Sequence, residues 1–363
     1  MNDNYYLIIR TAQSEIKAIE STNPESLKQL FPIIELTRGR KKTVGGKAFF
    51  PFDSYLHRLQ ESLMGLDVAI DVTSDEKLSC NEIERLYDYT NGYDNWIKLL
   101  KKIKVENCFN SISPTIIMNF DDPDFEMNIS LQIETLCMMF DTILYRSSIT
   151  DEYCYDDLPM ILRLLPNDKK LRILIDCEYT PQAMEANMLA KLKARLLNFS
   201  KIIDDRCSLA FCATSFPNNI SEIGNDNRDF FRLSEVSMHK KLLSDFPNLR
   251  YGDYGSINPV RNDTVVMARG WIPRIDVPLE DTVYYYRQRR VGSAYSDTYR
   301  AVAKSVMNDK HFPFSLDCWG IQQIKLCEHL VPSSSPSFWI AVRMNIHIEQ
   351  QLIRLRALND MKG

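Results

Sequence analysis

The chain repeats one pattern eight times: a short apolar run ends near a polar or charged residue, and a helix-like stretch follows. Most runs are rich in Ile, Leu and Val without strict alternation, which is typical of strands buried on both faces of a parallel sheet. Eight strands alternating with helices predict an α/β fold, a (β/α)8 TIM-barrel-like architecture. The runs are Tyr5–Arg10, Phe31–Arg38, Leu66–Val72, Ile112–Asn119, Asp141–Ser148, Leu171–Glu178, Arg206–Ser215 and Asn248–Tyr254.

An open doubly wound sheet is the alternative architecture for this pattern. Such a sheet usually has a glycine-rich first turn, whereas residues 10–13 contain no glycine. The alternation of apolar runs and helix-like stretches ends after Tyr254. Residues 264–278 and 282–290 have the character of additional strands, and helical patterns follow them. We therefore expect a barrel domain over residues 1–260. Residues 261–363 would form an added C-terminal β/α cap region, an extension that packs on the barrel.

Composition excludes some settings for the chain. Its 363 residues can form one large barrel, and the net charge of −4 gives no overall attraction for nucleic acid or anionic membranes. No apolar run approaches the roughly 20 residues that cross a bilayer, and the first residues lack the basic start of a signal peptide. The nine cysteines are scattered, which is typical of free thiols in a reducing compartment. We expect a cytoplasmic protein without membrane association.

Polar residues at the strand ends are the first candidates for a site, because barrels place their sites at the carboxyl ends of the strands. Carboxylates there could act as acid and base or hold a cation, and arginines could bind a phosphate or merely neutralise the carboxylates. No metal ligand is assigned, and the cofactor stays open, with Mg²⁺ or Mn²⁺ as candidates. The catalytic candidates are Glu35, Asp71, Asp176, Glu178 and Asp253, and the strand-end candidates for ligand binding are Arg10, Arg38, Arg146 and Tyr254.

Two local basic patches could bind phosphates. Residues 38–47 form a basic, glycine-bearing loop that ends at Lys47 but does not match a P-loop. Residues 284–290 interleave tyrosines with arginines, including Arg287, which suits a nucleotide or single-stranded nucleic acid but also an ordinary edge strand. A nucleotide, a nucleic acid or a protein partner therefore all stay open. The sequence has no G-x-S-x-G, H-E-x-x-H or G-x-G-x-x-G motif, which disfavours serine hydrolases, zincins and dinucleotide dehydrogenases.

Four short segments stand out together: Phe31–Glu35, Tyr251–Gly255, Phe314–Ser315 with Asp317, and Trp339 with Arg343, Asn345 and His347. They resemble segments of the beta protein family, which we take to be named for a protein of bacteriophage T4. The resemblance implies a barrel-like α/β fold and a setting of phages and mobile elements, often near defence genes, and it supplies no reaction. It adds His347 to the ligand-binding candidates and draws attention to Asp253 and Tyr254. The chain lacks the family's glycine before Asp317 and has Ile346 where a histidine is expected.

These observations lead to one preferred function and two alternatives. We expect a binding or sensing protein on a barrel scaffold that acts in phage–host conflict, either phage-encoded or in antiphage defence. Its ligand would carry phosphate or be a partner protein. The first alternative is a metal-dependent hydrolase or phosphodiesterase that uses the strand-end carboxylates. The second is a non-catalytic subunit of a larger defence assembly. Whether the protein is an enzyme stays open.

Overall fold

The computed structural model describes residues 5–45, 47–50, 52–260, 270–290, 292 and 294–360. For residues 42, 44 and 47–49 the description covers the backbone only. The strands in chain order are β1 Tyr5–Arg10, β2 Leu30–Leu36, β3 Lys42–Val44, β4 Lys47–Phe49, β5 Asp67–Val72, β6 Ser111–Pro114, β7 Thr142–Ser148, β8 Lys170–Tyr179, β9 Cys207–Thr214, β10 Arg228–Arg232, β11 Arg250–Asp253, β12 Arg274–Pro278 and β13 Thr282–Arg287.

The helices alternate with the strands through most of the chain. In the described ranges none of them is both long enough and apolar enough to cross a bilayer. Four short 3₁₀ helices cover Glu76–Leu78, Arg85–Tyr87, Gln182–Met184 and Ile220–Glu222. The α-helices are α1 Gln13–Glu20, α2 Pro24–Leu27, α3 Phe52–Ser62, α4 Asn81–Glu84, α5 Thr90–Glu106, α6 Phe125–Met139, α7 Cys154–Leu164, α8 Glu185–Phe199, α9 Ser234–Leu242, α10 Tyr295–Met307, α11 Trp319–Leu326 and α12 Pro336–Asp360.

Eight parallel strands form a barrel in the order β6-β5-β2-β1-β11-β9-β8-β7. The barrel closes just beyond β6, where Thr115 pairs in parallel with Leu144 of β7. The N–H of Ile116 donates to the carbonyl of Leu144 across the same seam, at 2.8 Å. Each of the eight predicted runs overlaps one of these strands, so the predicted (β/α)8 architecture is confirmed.

Strand β6, the fourth barrel strand in chain order, ends earlier than its apolar run predicts. β6 stops at Pro114, whereas the run continues to Asn119. The backbone of Ile117 leaves the sheet because its N–H and its carbonyl both form hydrogen bonds with the side-chain amide of Gln132 on α6. The amide oxygen accepts from the N–H of Ile117 at 2.9 Å, and the amide nitrogen donates to its carbonyl at 2.8 Å. The apolar composition of the run reflects burial and does not indicate strand pairing.

Register decides which side chains point into the barrel. Pairing across β1, β2 and β5 places Arg10, Glu35 and Asp71 side by side at the carboxyl ends of the strands. Side chains two residues apart on a strand share a face. The residues two positions earlier, Ile8 and Ile33 among them, belong to the apolar filling of the barrel, so the three charged side chains extend that filling towards the open end. The filling comprises Tyr6, Ile8, Phe31, Ile33, Ala69, Leu144, Leu174, Ala210, Cys212 and Tyr254.

The C-terminal region builds a second core beside the barrel. Its antiparallel sheet has the order β10-β13-β12, and β10 comes from the connection between β9 and α9. The long helix α12 packs against α1 and contributes to both cores, with Met344 in the barrel core and Val342 and Ile346 in the second core. The domain boundary at residue 260 stays a prediction, since residues 261–269 lie outside the described ranges.

Candidate functional site

The open carboxyl end of the barrel, which we call the mouth, is organised around one arginine. The guanidinium group of Arg146 on β7 donates to Glu35 at 2.9 Å and to Asp71 at 2.6 Å through Nη1. It donates to Asp176 through Nε at 3.0 Å and Nη2 at 2.6 Å, and Nη2 also donates to the hydroxyl of Tyr254 at 2.9 Å. One cation therefore bonds to three carboxylates that come from three different strands.

Glu35 lies between two arginines. Its Oε1 accepts from Nε of Arg10 at 3.1 Å, while Oε2 accepts from Arg146. Burial alone would raise the pKa of Glu35, but the two guanidinium groups outweigh burial and lower this pKa to about 2. Arg10 is itself fixed, because its Nη2 donates to the carbonyl of Pro259 at 2.5 Å. Glu35 is thus a permanently ionised structural carboxylate at neutral pH.

Asp176 has no free oxygen either. Its Oδ2 accepts from Arg146 and from the hydroxyl of Tyr254, the latter at 2.5 Å, and its Oδ1 accepts from the backbone N–H of Glu178 at 2.8 Å. Asp71 accepts from Arg146 through Oδ2 and from the N–H of Val72 through Oδ1 at 2.8 Å. Burial raises the pKa of Asp71 in spite of the neighbouring arginine, and burial likewise raises the pKa of Tyr254. The carboxylates of the mouth are held by partners within the protein.

The mouth opens into a cavity of about 410 Å³ whose walls are acidic. Three basic side chains line it, Arg10, Lys77 and Arg146, against five carboxyl groups: Glu35, Asp71, Asp75, Asp176 and Glu178. The guanidinium group of Arg146 already takes oxygens that Mg²⁺ or Mn²⁺ would need. Among the described residues no group of three His, Cys, Asp or Glu side chains has the geometry of a metal site. The donor set of the mouth therefore fits an arginine better than a divalent ion.

Glu178 lies on the rim of the mouth and differs from the other catalytic candidates in its exposure to solvent. It is exposed, and its backbone has φ of 51°, the left-handed region that a non-glycine residue rarely adopts. The hydroxyl of Ser148 donates to its Oε1 at 2.8 Å. This residue has the only solvent-exposed carboxylate among the five predicted catalytic candidates, all of which lie in described parts of the chain.

A second cavity, which we call the basic cleft, lies beside the mouth and has the opposite charge. Its volume is about 630 Å³, and Arg10 and Val260 line both cavities. The side chain of Lys47, a ligand-binding candidate in the sequence, lies outside the described part of the structure. Among the described residues, the basic side chains that line the cleft are Arg10, Arg38, Arg40, Lys41, Arg274 and Arg343, and the one carboxyl group is that of Glu15.

Burial favours the uncharged form of the Glu15 carboxyl group. Glu15 is buried at the start of α1, and its Oε2 accepts from the backbone N–H of Arg10 at 2.5 Å. Burial raises the pKa of Glu15 to about 8, although the charge of Arg10 lowers it in part. The group is protonated at neutral pH. Of the six basic side chains of the cleft, Arg38, Arg40 and Lys41 form no ion pair among the described residues, whereas Arg10 pairs with Glu35, and Arg274 and Arg343 pair with Asp276.

Asp253 and His347 do not face the mouth. Asp253 is on the face of β11 that carries Tyr251, so its side chain points outward under α12. It accepts from Tyr5 at 2.9 Å, Tyr251 at 2.8 Å and the N–H of Gly255 at 2.8 Å, and its Oδ2 lies 2.7 Å from Nε2 of His347. Burial alone would raise the pKa of Asp253, but His347 outweighs burial and lowers it. This network joins α12 to the barrel.

Two further positions of the predicted motifs serve the C-terminal region. Arg287 on β13 donates to the carbonyls of Asp226 and Gly224 at 3.0 and 2.9 Å, so it fastens the loop before β10, and it does not line the cavity of the mouth. The side chain of Asn345 accepts from the N–H of Gly320 at 2.8 Å and donates to Thr22 at 3.1 Å, which joins α11, α12 and the end of α1.

Two residues of the cleft have no signal in the sequence. Glu15 stands in a helix-like stretch with ordinary spacing, and Arg274 is one basic residue within an apolar run of the C-terminal region. No local pattern marks either one, because Arg274 reaches the cleft from the distant C-terminal region and the bond from the N–H of Arg10 to Glu15 forms only in the folded chain. Glu15 is recognisable only as a buried carboxyl group in the folded chain.

Comparison with known proteins agrees with this architecture. The family model described as Beta protein matches residues 5–353, nearly the whole chain. Protein beta of Enterobacteria phage P4 is 24% identical over 363 residues, covering 98% of this chain and 95% of the phage protein. The relative is phage-encoded, as expected, but it comes from phage P4, so the expected link to bacteriophage T4 is not supported. The chain belongs to the Beta protein family.

Proposed function

We propose that the protein is a binding or sensing protein whose ligand carries phosphate. One observation carries this proposal: Arg146 bonds to each of the three strand-end carboxylates in the mouth. A general acid or base must reach the substrate with a group that is free to exchange a proton. Glu35, Asp71 and Asp176 are instead committed to partners of the protein itself. The positive charge of the basic cleft supplies the preference for phosphate.

We place this binding function in the cytoplasm and in the conflict between phages and their hosts. The support is the match to the Beta protein family and the relative encoded by phage P4. A binding protein on a barrel scaffold suits a sensing role, because the carboxyl-terminal face of a barrel can form a ligand site from several strand-end loops without changing the barrel itself.

A metal-dependent hydrolase or phosphodiesterase is the second candidate. It is favoured by the gathering of Glu35, Asp71 and Asp176 at one end of the barrel, which is where such enzymes collect their carboxylates. A substrate phosphate would have to draw Arg146 away and leave the carboxylates to a cation. The candidate therefore requires a rearrangement that the binding proposal does not need.

Turnover and binding assays on the same samples distinguish the two candidates. The protein is incubated with Mg²⁺ or Mn²⁺ and a panel of nucleotides, cyclic dinucleotides and nucleic acids, beside Asp176→Asn. We expect saturable binding of at least one phosphate-bearing probe, no product by chromatography, and binding retained in the variant. Product formation that is abolished in Asp176→Asn would overturn the binding proposal. A matched surface control, Asp121→Asn, changes the charge equally at an exposed position.

A further inference from the structure

The basic cleft has the charge that a phosphate requires, and the mouth does not. Counting only residues that the structure describes, six basic side chains and one carboxyl group line the cleft, whereas the carboxyl groups outnumber the basic ones in the mouth. In a partly desolvated cavity such charges act at short range with little screening. A phosphate placed in the mouth would meet the carboxylates around Arg146. The same phosphate in the cleft would meet Arg38, Arg40 and Lys41, which form no ion pair among the described residues.

Three cations of the cleft have no acidic partner. Among the described residues, neither Arg38 nor Arg40 nor Lys41 forms an ion pair. Nε of Arg38 is buried and has no hydrogen-bond partner among the described residues. The guanidinium carbon of Arg38 lies 5.1 Å from the centre of the Phe50 ring. A buried donor without an acceptor costs about 1–3 kcal/mol. An anion bound in the cleft would supply the acceptor that is lacking.

Two further arginines that line the cleft, Arg274 and Arg343, are held in place by contacts within the protein. Arg343 on α12 donates to Asp276 at 2.9 Å and to the hydroxyl of Ser256 at 3.2 Å, and its guanidinium carbon lies 3.6 Å from the centre of the Phe216 ring. Burial lowers the pKa of Arg343 to about 10, so the group remains charged at neutral pH. Nε of Arg274 lies 3.0 Å from Asp276. These two arginines are preorganised, which reduces the entropy lost on binding.

The cleft also offers apolar surface for a flat group. Its volume of about 630 Å³ falls within the range of roughly 300–1,000 Å³ that is usual for small-molecule sites. A nucleobase could stack on an aromatic or guanidinium face while its phosphates reach the loop cations. The apolar residues that line the cleft are Phe50, Leu78, Phe216, Ile257, Val260 and Ile340.

We infer that the basic cleft is a nucleotide site in which Arg38, Arg40 and Lys41 bind the phosphates. The base packs on the half-buried apolar side chains of the cleft, Phe50, Ile257 and Ile340. The inference rests on the proposed binding function and adds to it the location and the class of the ligand. The nucleotide is either free or the terminal unit of a single strand of nucleic acid, because both present the same phosphate and base.

Calorimetry with the full chain tests the inference. The probes are ribonucleoside triphosphates, inorganic tripolyphosphate, and a short single strand with or without a 5′-phosphate. The variants are Arg38→Gln with Arg40→Gln in the cleft, Asp71→Asn in the mouth, and Lys101→Gln with Lys240→Gln as a charge-matched control on exposed helix positions. The cleft variant should weaken nucleotide binding about tenfold or more, since each lost bond to a charged group costs about 1.5–3 kcal/mol. The mouth variant and the control should bind as the wild type does.

Each other outcome has a definite meaning. Weaker binding in the mouth variant with no change in the cleft variant would overturn the inference and leave the binding function intact. Tripolyphosphate binding as tightly as the triphosphates would overturn the assignment of a nucleotide. Tighter binding of the 5′-phosphorylated strand than of free nucleotides would support the inference and identify a strand end as the source. Failure of every probe to bind would overturn the inference and the proposed function together. Unchanged thermal unfolding of the cleft variant establishes that it is folded.

Discussion

The mouth and the basic cleft are neighbouring cavities that use arginine in opposite ways. In the mouth, Arg146 is surrounded by carboxylates and completes their hydrogen bonds. In the cleft, Arg38, Arg40 and Lys41 lack acidic partners within the described chain. Arg10 stands between them and lines both. The difference teaches that charged residues at a barrel mouth are not by themselves a site: a group whose bonds are complete stabilises the fold, whereas a group with unmet bonds can bind a ligand.

Removing the central cation of each cavity should give the largest contrast. Arg146→Met leaves three buried carboxylates without their shared partner, and we expect it to lower the free energy of unfolding by about 3–5 kcal/mol. Arg38→Met removes a cation that has no acidic partner among the described residues and a buried Nε that has no acceptor there, so we expect no loss of stability and a gain of at most about 1–3 kcal/mol. Urea denaturation of both variants at neutral pH measures the contrast.

The comparison would fail if the two variants lost equal stability. Arg146→Lys provides the intermediate case, because one ammonium group keeps the charge but cannot reproduce the five hydrogen bonds of the guanidinium group. Its stability should fall between that of the wild type and that of Arg146→Met.

The sequence predicts the barrel and much of the mouth, for a definite physical reason. Each strand is a compact apolar run, and the register of a parallel barrel brings the ends of successive runs to one level, so the sequence suffices to group Arg10, Glu35 and Asp71. The sequence does not show which face a strand-end residue takes. Both faces are buried and no alternation marks them, so the pattern groups Asp253 with the mouth although its side chain points outward to His347.

The cleft cannot be assembled from the sequence in the same way. Its loop cations are visible as a basic segment, but Arg274 and Arg343 are separated from Arg38 by more than 200 positions and come from the C-terminal region. Arg274 comes from β12 and Arg343 from α12, so only the folded chain brings them beside the loop cations. Glu15 is likewise buried only in the folded chain, and its altered pKa has no sequence signal.

The two cavities should also respond to pH with opposite sign. Glu15 has a pKa near 4.5 when unfolded and about 8 when folded, so its contribution to stability is complete below pH 4.5 and is lost as the pH rises through 8. Glu35 has a folded pKa of about 2, so its contribution is present above pH 4.5 and is lost as the pH falls towards 2. Glu15→Gln should therefore gain about 1–3 kcal/mol relative to the wild type between pH 5 and pH 8.

Denaturation curves collected from pH 3 to pH 9 test both signs. Glu35→Gln is the matched substitution in the mouth, and its destabilisation should shrink as the pH falls below 4. A stability difference between Glu15→Gln and the wild type that does not vary with pH would show that Glu15 keeps an ordinary pKa in the folded chain. The cleft would then carry a permanent carboxylate, which weakens the contrast between the cavities.

Backbone strain gives the smallest and most local comparison. Gly39 beside the cleft and Glu178 on the rim of the mouth both have positive φ, at 65° and 51°. A Cβ at Gly39 would overlap the ring of Tyr55, so Gly39→Ala should cost about 1–2 kcal/mol or more. Glu178→Gly should be about 0.5–1 kcal/mol more stable than Glu178→Ala, because both lose the bond from Ser148 and only glycine relieves the strain. Thermal unfolding of the three variants measures these differences. If Glu178→Ala were the more stable of its pair, the left-handed conformation would not persist in solution, and the exposed carboxylate on the rim would have a different direction.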